Sequence, residues 1–338
     1  MAERRLGEFE IIDMFRGRGG HRHDWVQHGI GDDCAVLDLG GERSLLVTTD
    51  LMVERVHYLR DAITPWQLGW KAMAVNISDI AAMGGTPRAA FAAAALQPGV
   101  DAAFLEGLRD GMLACADRYG VDLLGGDTSR APQDGVLCLT LLGTAPRDRV
   151  LLRSGARPGD VAFLGGPVGL SAAGLWLLTQ GAEQAGRLDP AHRDRLVKAH
   201  LEPQPQVELG LWLAERGLVT SMMDVSDGVL QDLGHICRAS GVGALVAGEA
   251  LPVDRALVQA GAIGCCEQPW RFALSGGEDY VLLFTAPADH QDALVAGARH
   301  ELGIELIPFA WIEPEPGLRL FGADGIHSAR PRGWDHFG

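Results

Sequence analysis

The chain has 338 residues, enough for about two domains of ordinary size, each with its own hydrophobic core. Apolar residues make up 47% and charged residues 22% of the sequence, which is typical of folded globular proteins and excludes disordered or fibrous ones. The formal net charge of −15 argues against non-specific binding to nucleic acid or to anionic membranes. Lysine occurs only at Lys71 and Lys198, so a phosphate site must use arginine, backbone N–H groups or metal ions.

The pattern of charged and apolar residues also bears on location. The N-terminus is charged where a signal peptide would need an apolar core. The longest uncharged apolar run, residues 89–96, is far shorter than the roughly 18 residues of a membrane span. The six cysteines form no CxxC pair, which favours reduced thiols. We therefore expect a cytoplasmic protein with no membrane partner.

The clearest element of the first half is a helix that begins after Thr64. Thr64 is a good N-cap, Pro65 suits the first turn, and Gln67 stands three residues after the cap. This helix is expected to run to about Met83, where two glycines end it. The other predicted elements of this half are a helix over 7–15, strands over 34–39 and 44–49, a strand over 88–96, a helix over 101–119, a short strand ending at 125–126 and a strand over 135–144.

A stretch rich in proline, glycine and arginine, residues 145–160, indicates a domain junction. We expect an N-terminal domain over 1–148 and a C-terminal domain over 149–338. The elements predicted beyond the junction are strands over 161–164, 219–224 and 280–285 and helices over 170–178, 206–215, 227–239 and 287–302. This alternation of helices and strands indicates two α/β domains.

Several aspartates stand at strand ends or, in one case, on an apolar helix. They are Asp33, Asp50, Asp79, Asp127, Asp224 and Asp227. Each alone could be a helix cap or a turn former. As a set they need counter-charge that two lysines cannot supply, and divalent cations can supply it. Hydroxyl neighbours at Thr48, Thr49 and Ser226, with no local histidine or cysteine cluster, favour Mg²⁺ over Zn²⁺.

Glycine-rich motifs narrow the class of enzyme. The sequence has no GxxxxGK[ST], no GxGxxG after a strand and no GxSxG, which argues against a P-loop enzyme, a dinucleotide-binding fold and a serine hydrolase. The pairs Gly125–Gly126 and Gly276–Gly277 allow either close approach to a phosphate or an ordinary tight turn. A rival metal site at residues 21–24 (HRHD) is better explained as a solvated loop, because glycines precede it.

Taken in order, the motifs GIGDDCAVLD, TTDLMVERVHY, AVNISDIAAMGG, LLGGDTSR, DVSDGVLQDLGH, LSGGEDY and GWDHFG resemble those of the thiamine-monophosphate kinase family. The resemblance covers nearly the whole chain. Several of the motifs also occur in the wider superfamily of aminoimidazole ribonucleotide synthetase, selenophosphate synthetase and a hydrogenase-maturation ATPase. GIGDDCA, NISDIAAMGG, SGGEDY and GWDHF together are typical of the thiamine enzymes.

The resemblance implies the two-domain α/β (α+β) fold of aminoimidazole ribonucleotide synthetase-like proteins. In that fold the N-terminal sheet forms an intersubunit β-barrel, so a homodimer is expected. It also implies ATP as co-substrate and several Mg²⁺ ions in the cleft between the domains. Three departures from the family pattern stand out: Arg55 replaces a usual glycine, Val281 a common glutamate and Trp334 a frequent tyrosine.

The resemblance further assigns residues to roles. The expected metal ligands are Asp33, Thr48, Thr49, Asp50, Asp79, Asp127, Asp224 and Asp227. The expected nucleotide contacts are Gly126, Asp127, Arg153 and Ser226. The expected substrate contacts are His57, Glu278 and Trp334, with Glu278 supplying a carboxylate and Trp334 a cation–π face for a thiazolium cation.

The function that follows is phosphorylation of thiamine monophosphate to thiamine diphosphate by ATP. We expect direct in-line, Mg²⁺-assisted transfer with no protein nucleophile, because the acceptor phosphate is already ionised. Two alternatives remain open at this stage. One is another ATP-dependent enzyme of the superfamily, such as an aminoimidazole ribonucleotide synthetase-like one, and the other is a non-catalytic, nucleotide-sensing dimeric module.

Overall fold

The computed structural model describes residues 7–18, 23–322 and 325–329. Within these residues the chain forms two sheets, one from each half of the sequence. The helices of the first half are α1 (Glu8–Arg18), α2 (Pro65–Ala82) and α3 (Ala102–Tyr119). Those of the second half are α4 (Leu170–Leu178), α5 (Pro190–Leu201), α6 (Val207–Arg216), α7 (Val229–Ser240), α8 (Arg255–Ala262), α9 (Pro269–Ser275) and α10 (Gln291–Leu302).

The first sheet has six strands in the order β1-β2-β3-β6-β4-β5. These are β1 (Val26–His28), β2 (Ala35–Leu37), β3 (Arg43–Val53), β4 (Thr86–Leu96), β5 (Asp122–Arg130) and β6 (Val136–Pro146). On β6 buried and half-buried residues alternate along the strand, as expected for a sheet with one face on the core. The long antiparallel pairing of β3 with β6 aligns Asp50 with Leu139 and fixes which side chains share a face.

The second sheet has seven strands in the order β13-β12-β9-β11-β7-β10-β8. These are β7 (Asp160–Leu164), β8 (Ser221–Asp224), β9 (Gly243–Ala247), β10 (Leu282–Pro287), β11 (Ile307–Glu313), β12 (Gly317–Gly322) and β13 (Gly325–Ala329). Every residue of β7 and β8 is buried. Strand β8 therefore brings Asp224, its last residue, to the interior of the molecule.

Helix α2 lies between the two sheets and is buried on nearly all sides. It packs against β3 and β6 of the first sheet and against β8 and α6 of the second half. Its neighbour α3 approaches closely at two glycines: a Cβ on Gly69 would lie 2.1 Å from the Leu108 carbonyl oxygen, and one on Gly111 would lie 1.8 Å from that of Trp66. A helix buried all round must face its polar side chains toward a site or a partner.

The structure confirms most predicted elements and corrects several boundaries. Thr64 and Gln67 form the expected capping box. Strand β3 continues past Thr49 to Val53, because β6 pairs with it along its whole length. Strand β5 runs through Gly126 to Arg130, because β4 pairs with it beyond the two glycines. No helix among the described residues is long and apolar enough to cross a membrane.

Candidate functional site

Three of the predicted aspartates meet where the two halves of the chain join. Asp33 precedes β2, Asp79 lies on α2, and Asp224 ends β8. One carboxylate oxygen from each residue lies within 4.8 Å of one from each of the other two. Asp33 and Asp224 are buried, with 8% and 2% of their surface exposed. Three segments far apart in sequence therefore build one acidic cluster.

Two hydroxyl groups donate hydrogen bonds into this cluster. Thr48 Oγ1 donates to Asp79 Oδ2 at 2.5 Å. Ser78 Oγ donates to Asp224 Oδ2, also at 2.5 Å. Ser78 and Asp79 are neighbours on α2, so this one helix contributes a carboxylate and holds another in place.

The close approach of the acids raises their pKa values. Burial, and then the charge of Asp33, raise the pKa of Asp50 to about 6 and that of Asp224 to about 7. Burial, and then Asp50 and Asp224, raise the pKa of Asp79 well above its ordinary value. Each shift has the same origin: charges that repel one another have been moved out of water. A cation would relieve that repulsion.

Arg153 supplies part of the counter-charge. Its guanidinium donates to Asp33 Oδ1, with Nε at 3.1 Å and Nη2 closer still. Its backbone N–H donates to both carboxylate oxygens of Asp32 at 3.2 Å. Asp32 was not among the predicted site residues, although burial and then Asp33 raise its pKa to about 7. The single positive charge of Arg153 cannot balance the five neighbouring carboxylates, which are those of Asp32, Asp33, Asp50, Asp79 and Asp224.

The residues present fit a hard divalent cation. Asp33 Oδ2 is buried and has no hydrogen-bond partner. The other donors around it are carboxylates and hydroxyls, which suit Mg²⁺ better than metals that favour nitrogen or sulfur. Cys34 is next to Asp33, but burial and then Asp79 raise the pKa of its thiol, so it offers no thiolate.

A second group of titratable residues follows β8. Asp227, Asp232 and His235 have ligand atoms within 4.8 Å of one another. Asp232 is fully buried, and its Oδ2 accepts from the Gly228 N–H at 3.0 Å. Burial, and then Asp227 and Asp224, raise the pKa of Asp232 well above its ordinary value. Asp227, a predicted ligand, therefore belongs to an acidic group that adjoins the first.

Two predicted metal ligands, Thr49 and Asp127, lie on the opposite face of the first sheet from Asp50. The row of paired residues that contains Asp50 reaches β5 at Gly126, whereas Asp127 falls in the next row. Alternation along a strand therefore places the exposed Asp127 on the opposite face from Asp50. Thr49 shares that opposite face, and its hydroxyl donates to the Leu139 carbonyl. The ligand roles of Thr49 and Asp127 and the nucleotide contact of Gly126 stay predictions.

The loop that carries Ser226 is tied to the loop that carries Glu278. The Glu278 N–H donates to the Ser226 carbonyl at 2.7 Å, and the Tyr280 N–H donates to the Val225 carbonyl at 2.8 Å. A Cβ on Gly277 would lie 2.6 Å from the Ser226 carbonyl oxygen, so only glycine allows this approach. The predicted strand at Tyr280 begins instead at Leu282, because Glu278 and Tyr280 have left-handed φ values of 63° and 51°.

His57 lies in the loop after β3, and its own backbone holds it. The Val53 N–H donates to His57 Nδ1 at 2.9 Å. Arg55, which replaces a usual glycine of the family, has a left-handed φ of 67°, a conformation that glycine adopts more readily. The Arg55 guanidinium pairs with Asp134 at 2.5 Å. Arg55 therefore adopts a left-handed backbone conformation, and Asp134 holds its side chain.

His57 and Glu278 line one cavity with two residues that sequence reasoning missed, Lys71 and His200. Lys71 Nζ lies 2.9 Å from Glu278 Oε1, and His200 Nδ1 lies 3.3 Å from Glu278 Oε2. The sequence does contain a signal for Lys71, because it is one of only two lysines and stands on an apolar helix. The third predicted substrate contact, Trp334, lies outside the described residues, as do His21 and Arg22 of the rival site.

Family models match both halves of the chain. Residues 31–145 match the AIR synthase related protein N-terminal domain, and residues 157–307 match its C-terminal domain. The chain is 40% identical to the thiamine-monophosphate kinase of Escherichia coli strain K12 over 98% of each chain.

Two solved structures agree with these matches. AaThiL complexed with AMPPCP and TMP superposes with a TM-score of 0.85 at 31% identity, covering 100% of both chains. The thiamine-monophosphate kinase of Stenotrophomonas maltophilia K279a superposes with a TM-score of 0.76 at 37% identity, covering 94% of this chain and 98% of that one.

Proposed function

The chain belongs to the thiamine-monophosphate kinase family, and we propose that its acidic cluster is the Mg²⁺ site at which ATP phosphorylates thiamine monophosphate to thiamine diphosphate. The observation that carries this proposal is the meeting of Asp33, Asp79 and Asp224 at the junction of the two halves. Their mutual repulsion has no structural benefit without a cation. The AaThiL structure contains an ATP analogue and TMP together, which supports the same pair of substrates here.

The chain's own residues divide the work between ligation and positioning. Asp33, Asp50, Asp79 and Asp224 would hold the metal, and Thr48 would add a hydroxyl. Bound Mg²⁺ would offset the repulsion between two anionic phosphates. Ser78 orients Asp224 through its hydrogen bond. Asp227 and the loop of Ser226 adjoin this cluster, which is consistent with their predicted metal and nucleotide roles.

Arg153 would contribute a fixed positive charge at the edge of the cluster. It is half-buried and already bonded to Asp33, so its guanidinium is held in one orientation. A planar donor held in this way suits phosphate oxygens as well as carboxylates. This supports the predicted contact between Arg153 and the nucleotide, with Asp33 as the residue that positions it.

Direct in-line transfer needs no nucleophile from the protein. The acceptor is a phosphate whose oxygens are ionised near neutral pH, so no strong general base is required. Around the cluster, Cys34 is buried and uncharged, and the hydroxyls of Thr48 and Ser78 donate to carboxylates. Positioning and charge neutralisation are then the main catalytic contributions.

Measurement of ADP formation with and without thiamine monophosphate tests the proposal. The kinase releases ADP in step with thiamine diphosphate, and only when Mg²⁺ and thiamine monophosphate are both present. An aminoimidazole ribonucleotide synthetase-like enzyme would ignore thiamine monophosphate, and a nucleotide sensor would bind ATP without releasing ADP. Inversion at a chiral γ-phosphate is expected, whereas retention or a trapped phospho-aspartate would exclude direct transfer.

A homodimer built on the first sheet is also part of the proposal. One face of this sheet carries exposed apolar side chains, among them Leu51 at 53% and Phe91 at 40% exposure. Leu51 shares its row with Cys138 and Ala93, so the patch crosses three strands. An exposed apolar sheet face of this kind favours association with another protein surface. A second copy of the chain that forms an intersubunit barrel would cover it.

We further propose that the domains are 1–148 and 149–338. The first sheet ends at Pro146 and the second begins at Asp160, which supports a boundary between them. Helix α2 packs on both sheets, so the two domains share one interior. A cytoplasmic location is supported by the cysteines, all six of which are free thiols.

A further inference from the structure

The first turn of α4 is capped by a residue 110 positions away in sequence. The N-cap of this helix, Gly169, has a left-handed φ of 81° and no side chain that could accept a hydrogen bond. Asp279 takes that role, because its Oδ2 accepts from the Gly169 N–H at 2.5 Å and its Oδ1 from the Ser171 N–H at 3.1 Å. N–H groups at a helix start have no acceptor within the helix and favour a carboxylate. Asp279 therefore ties its own loop to α4.

The loop that carries Asp279, residues 276–280, has a strained backbone. Glu278 and Tyr280, on either side of Asp279, have left-handed φ values of 63° and 51°. Residues with a Cβ populate this region sparsely, and such a conformation persists only where neighbouring groups hold it. A Cβ on Gly276 would lie 2.8 Å from Ala172 Cβ, so the loop also packs directly on α4.

The same loop is joined to both predicted binding regions through Glu278. Its backbone N–H donates to the carbonyl of Ser226, the predicted nucleotide contact, at 2.7 Å. Its side chain lies in the cavity, where Oε1 is 2.9 Å from Lys71 Nζ. The main chain of one residue therefore faces the nucleotide loop while its side chain faces the predicted acceptor site.

We propose that Asp279 is a positioning residue, which by capping α4 holds loop 276–280 in the one conformation that serves both the nucleotide contact at Ser226 and the acceptor contact at Glu278. The inference rests on the proposed function, because it concerns the two substrates of that reaction. Asp279 acts through the backbone of the loop, since α4 occupies both oxygens of its carboxylate.

Loss of this cap affects both substrates at once. Where the loop adopts its binding conformation for only a fraction of the time, each ligand alone binds more weakly by that fraction. The first ligand to bind restores the conformation, so the second then binds as it does to the wild type. Removing the charge of Asp279 therefore creates a positive coupling between nucleotide and thiamine monophosphate that the capped loop does not show.

Calorimetric titration of the full-length protein with thiamine monophosphate, in Mg²⁺ with and without saturating AMPPCP, tests this. At pH 8 Asp279 is ionised, although burial raises its pKa to about 7. Without AMPPCP, Asp279→Asn should bind thiamine monophosphate roughly 10-fold more weakly than the wild type, the scale of one lost hydrogen bond to a charged group. With AMPPCP bound, the two proteins should agree to within about twofold.

A capping aspartate elsewhere in the chain provides the matched control. Asp101 is exposed and caps α3 from the start of that same helix, accepting from the Phe104 N–H at 2.8 Å. Asp101→Asn should equal the wild type in both titrations. A merely structural role of Asp279, or damage confined to the acceptor site, would weaken both titrations alike. Weakening that AMPPCP does not relieve would therefore overturn the inference, and so would unchanged binding.

Hydrogen exchange of the unaltered protein, resolved by NMR, serves if Asp279→Asn does not fold. The N–H groups of Gly169 and Ser171 are bonded to Asp279, and those of Glu278 and Tyr280 to the loop after β8. All four should exchange at one common rate, as a unit that opens together, and AMPPCP with Mg²⁺ should slow all four by the same factor. Fast exchange at the start of α4 alone, or slowing confined to the other two, would overturn the inference.

Failure of the proposed function is seen separately, as absence of ADP formation by the wild type. The exchange rates of the ligand-free protein need no turnover, so they report on the cap in either case.

Discussion

Ser78 and Asp224 are 146 positions apart in sequence, yet the Ser78 hydroxyl donates a hydrogen bond of 2.5 Å to the Asp224 carboxylate. The bond joins α2, packed on the first sheet, to the end of a strand of the second. The acidic cluster is therefore complete only when the two halves are docked. If the cluster binds Mg²⁺ as proposed, this contact couples metal binding to the docking of the two halves.

The first prediction follows from that hydrogen bond. Ser78→Ala removes a donor that favours the ionised form of Asp224, so Mg²⁺ affinity should fall by roughly 10-fold on the scale of a hydrogen bond to a charged group. The rise of the melting temperature with added Mg²⁺, titrated against concentration, measures this. Thr179→Ala, at an exposed helix end, is the control. A Mg²⁺ midpoint unchanged from the wild type would contradict the coupling.

The second prediction concerns the pH dependence of the metal-free protein. Asp32 and Asp224 have pKa values of about 7 in the folded protein, and burial, with a smaller contribution from Glu278, raises that of Asp279 to about 7 as well. The unfolded chain binds these protons only near pH 4. Lowering the pH from 8 to 6.5 therefore protonates the folded state preferentially and should raise its stability.

The buried histidines weaken this effect at lower pH. His200 and His235 have pKa values of about 4 and about 3 when folded, so below about pH 6.5 the unfolded chain takes up their two protons, which offsets part of the gain from the aspartates and makes the trend shallower. Melting temperatures in EDTA at pH 8, 7.2 and 6.5 measure the effect. Saturating Mg²⁺ should reduce the slope, because ligated carboxylates stay ionised; a melting temperature that falls toward pH 6.5 in EDTA would show that the repulsion is absent.

The third prediction separates two predicted ligands by stability. Asp79→Asn should lower turnover by at least about 100-fold, as expected for loss of a group that neutralises transition-state charge. It should also stabilise the metal-free fold, because Asp79 is repelled by Asp50 and Asp224. Asp127→Asn should lower turnover without that stabilisation, since Asp127 is exposed. Asp117→Asn, at an exposed position on α3, is the control. Near-normal turnover of Asp127→Asn at ordinary Mg²⁺ would remove Asp127 from the metal site.

The fourth prediction tests the dimer. Leu51→Asp places a charge in the apolar face of the first sheet and should shift the protein from dimer to monomer at micromolar concentration. Sedimentation velocity measures the mass. Leu105→Asp, at a comparably exposed leucine on α3, should remain a dimer. A wild type that sediments as a monomer would exclude the intersubunit barrel.

The fifth prediction concerns Trp334, whose role rests on the sequence motif. Trp334→Ala should raise the Michaelis constant for thiamine monophosphate by roughly 3- to 30-fold, the range for losing a cation–π contact. The constant for ATP should hardly move. Steady-state kinetics with each substrate varied in turn decides the matter, and a parallel rise of both constants would make Trp334 a structural anchor.

Much of this arrangement could be predicted because its signals are local. A capping box defines the start of α2 from three residues, and a strand-end aspartate is visible from the pattern on either side of it. The structure brings Asp33 and Asp224 close together, and their roles as metal ligands stay predictions. Asp79 joined them because one helix passes between both sheets.

The remaining features depend on packing that no local pattern encodes. Two sheets enclose α2, and their packing decides that Lys71 faces the cavity and Ser78 faces the acidic cluster. Thr49 and Asp127 lie opposite Asp50 because of the register between β3, β6, β4 and β5, which is fixed by long-range pairing. The ion pair between Lys71 and Glu278 could not be predicted, because it forms only where a loop of the second half packs against α2.

The burial of Lys71 also bears on how this protein can be labelled. Amine-directed reagents meet, apart from the N-terminal amine, only two lysines: Lys198, which water reaches freely, and Lys71, which it does not reach at all. Any adduct on Lys71 must form during a moment when α2 and the loop of Glu278 have separated. Mass spectrometry can compare the rate of modification of Lys71 with that of Lys198 in the same sample. The ratio would measure how often the cavity opens in the unaltered chain, with no engineered reporter.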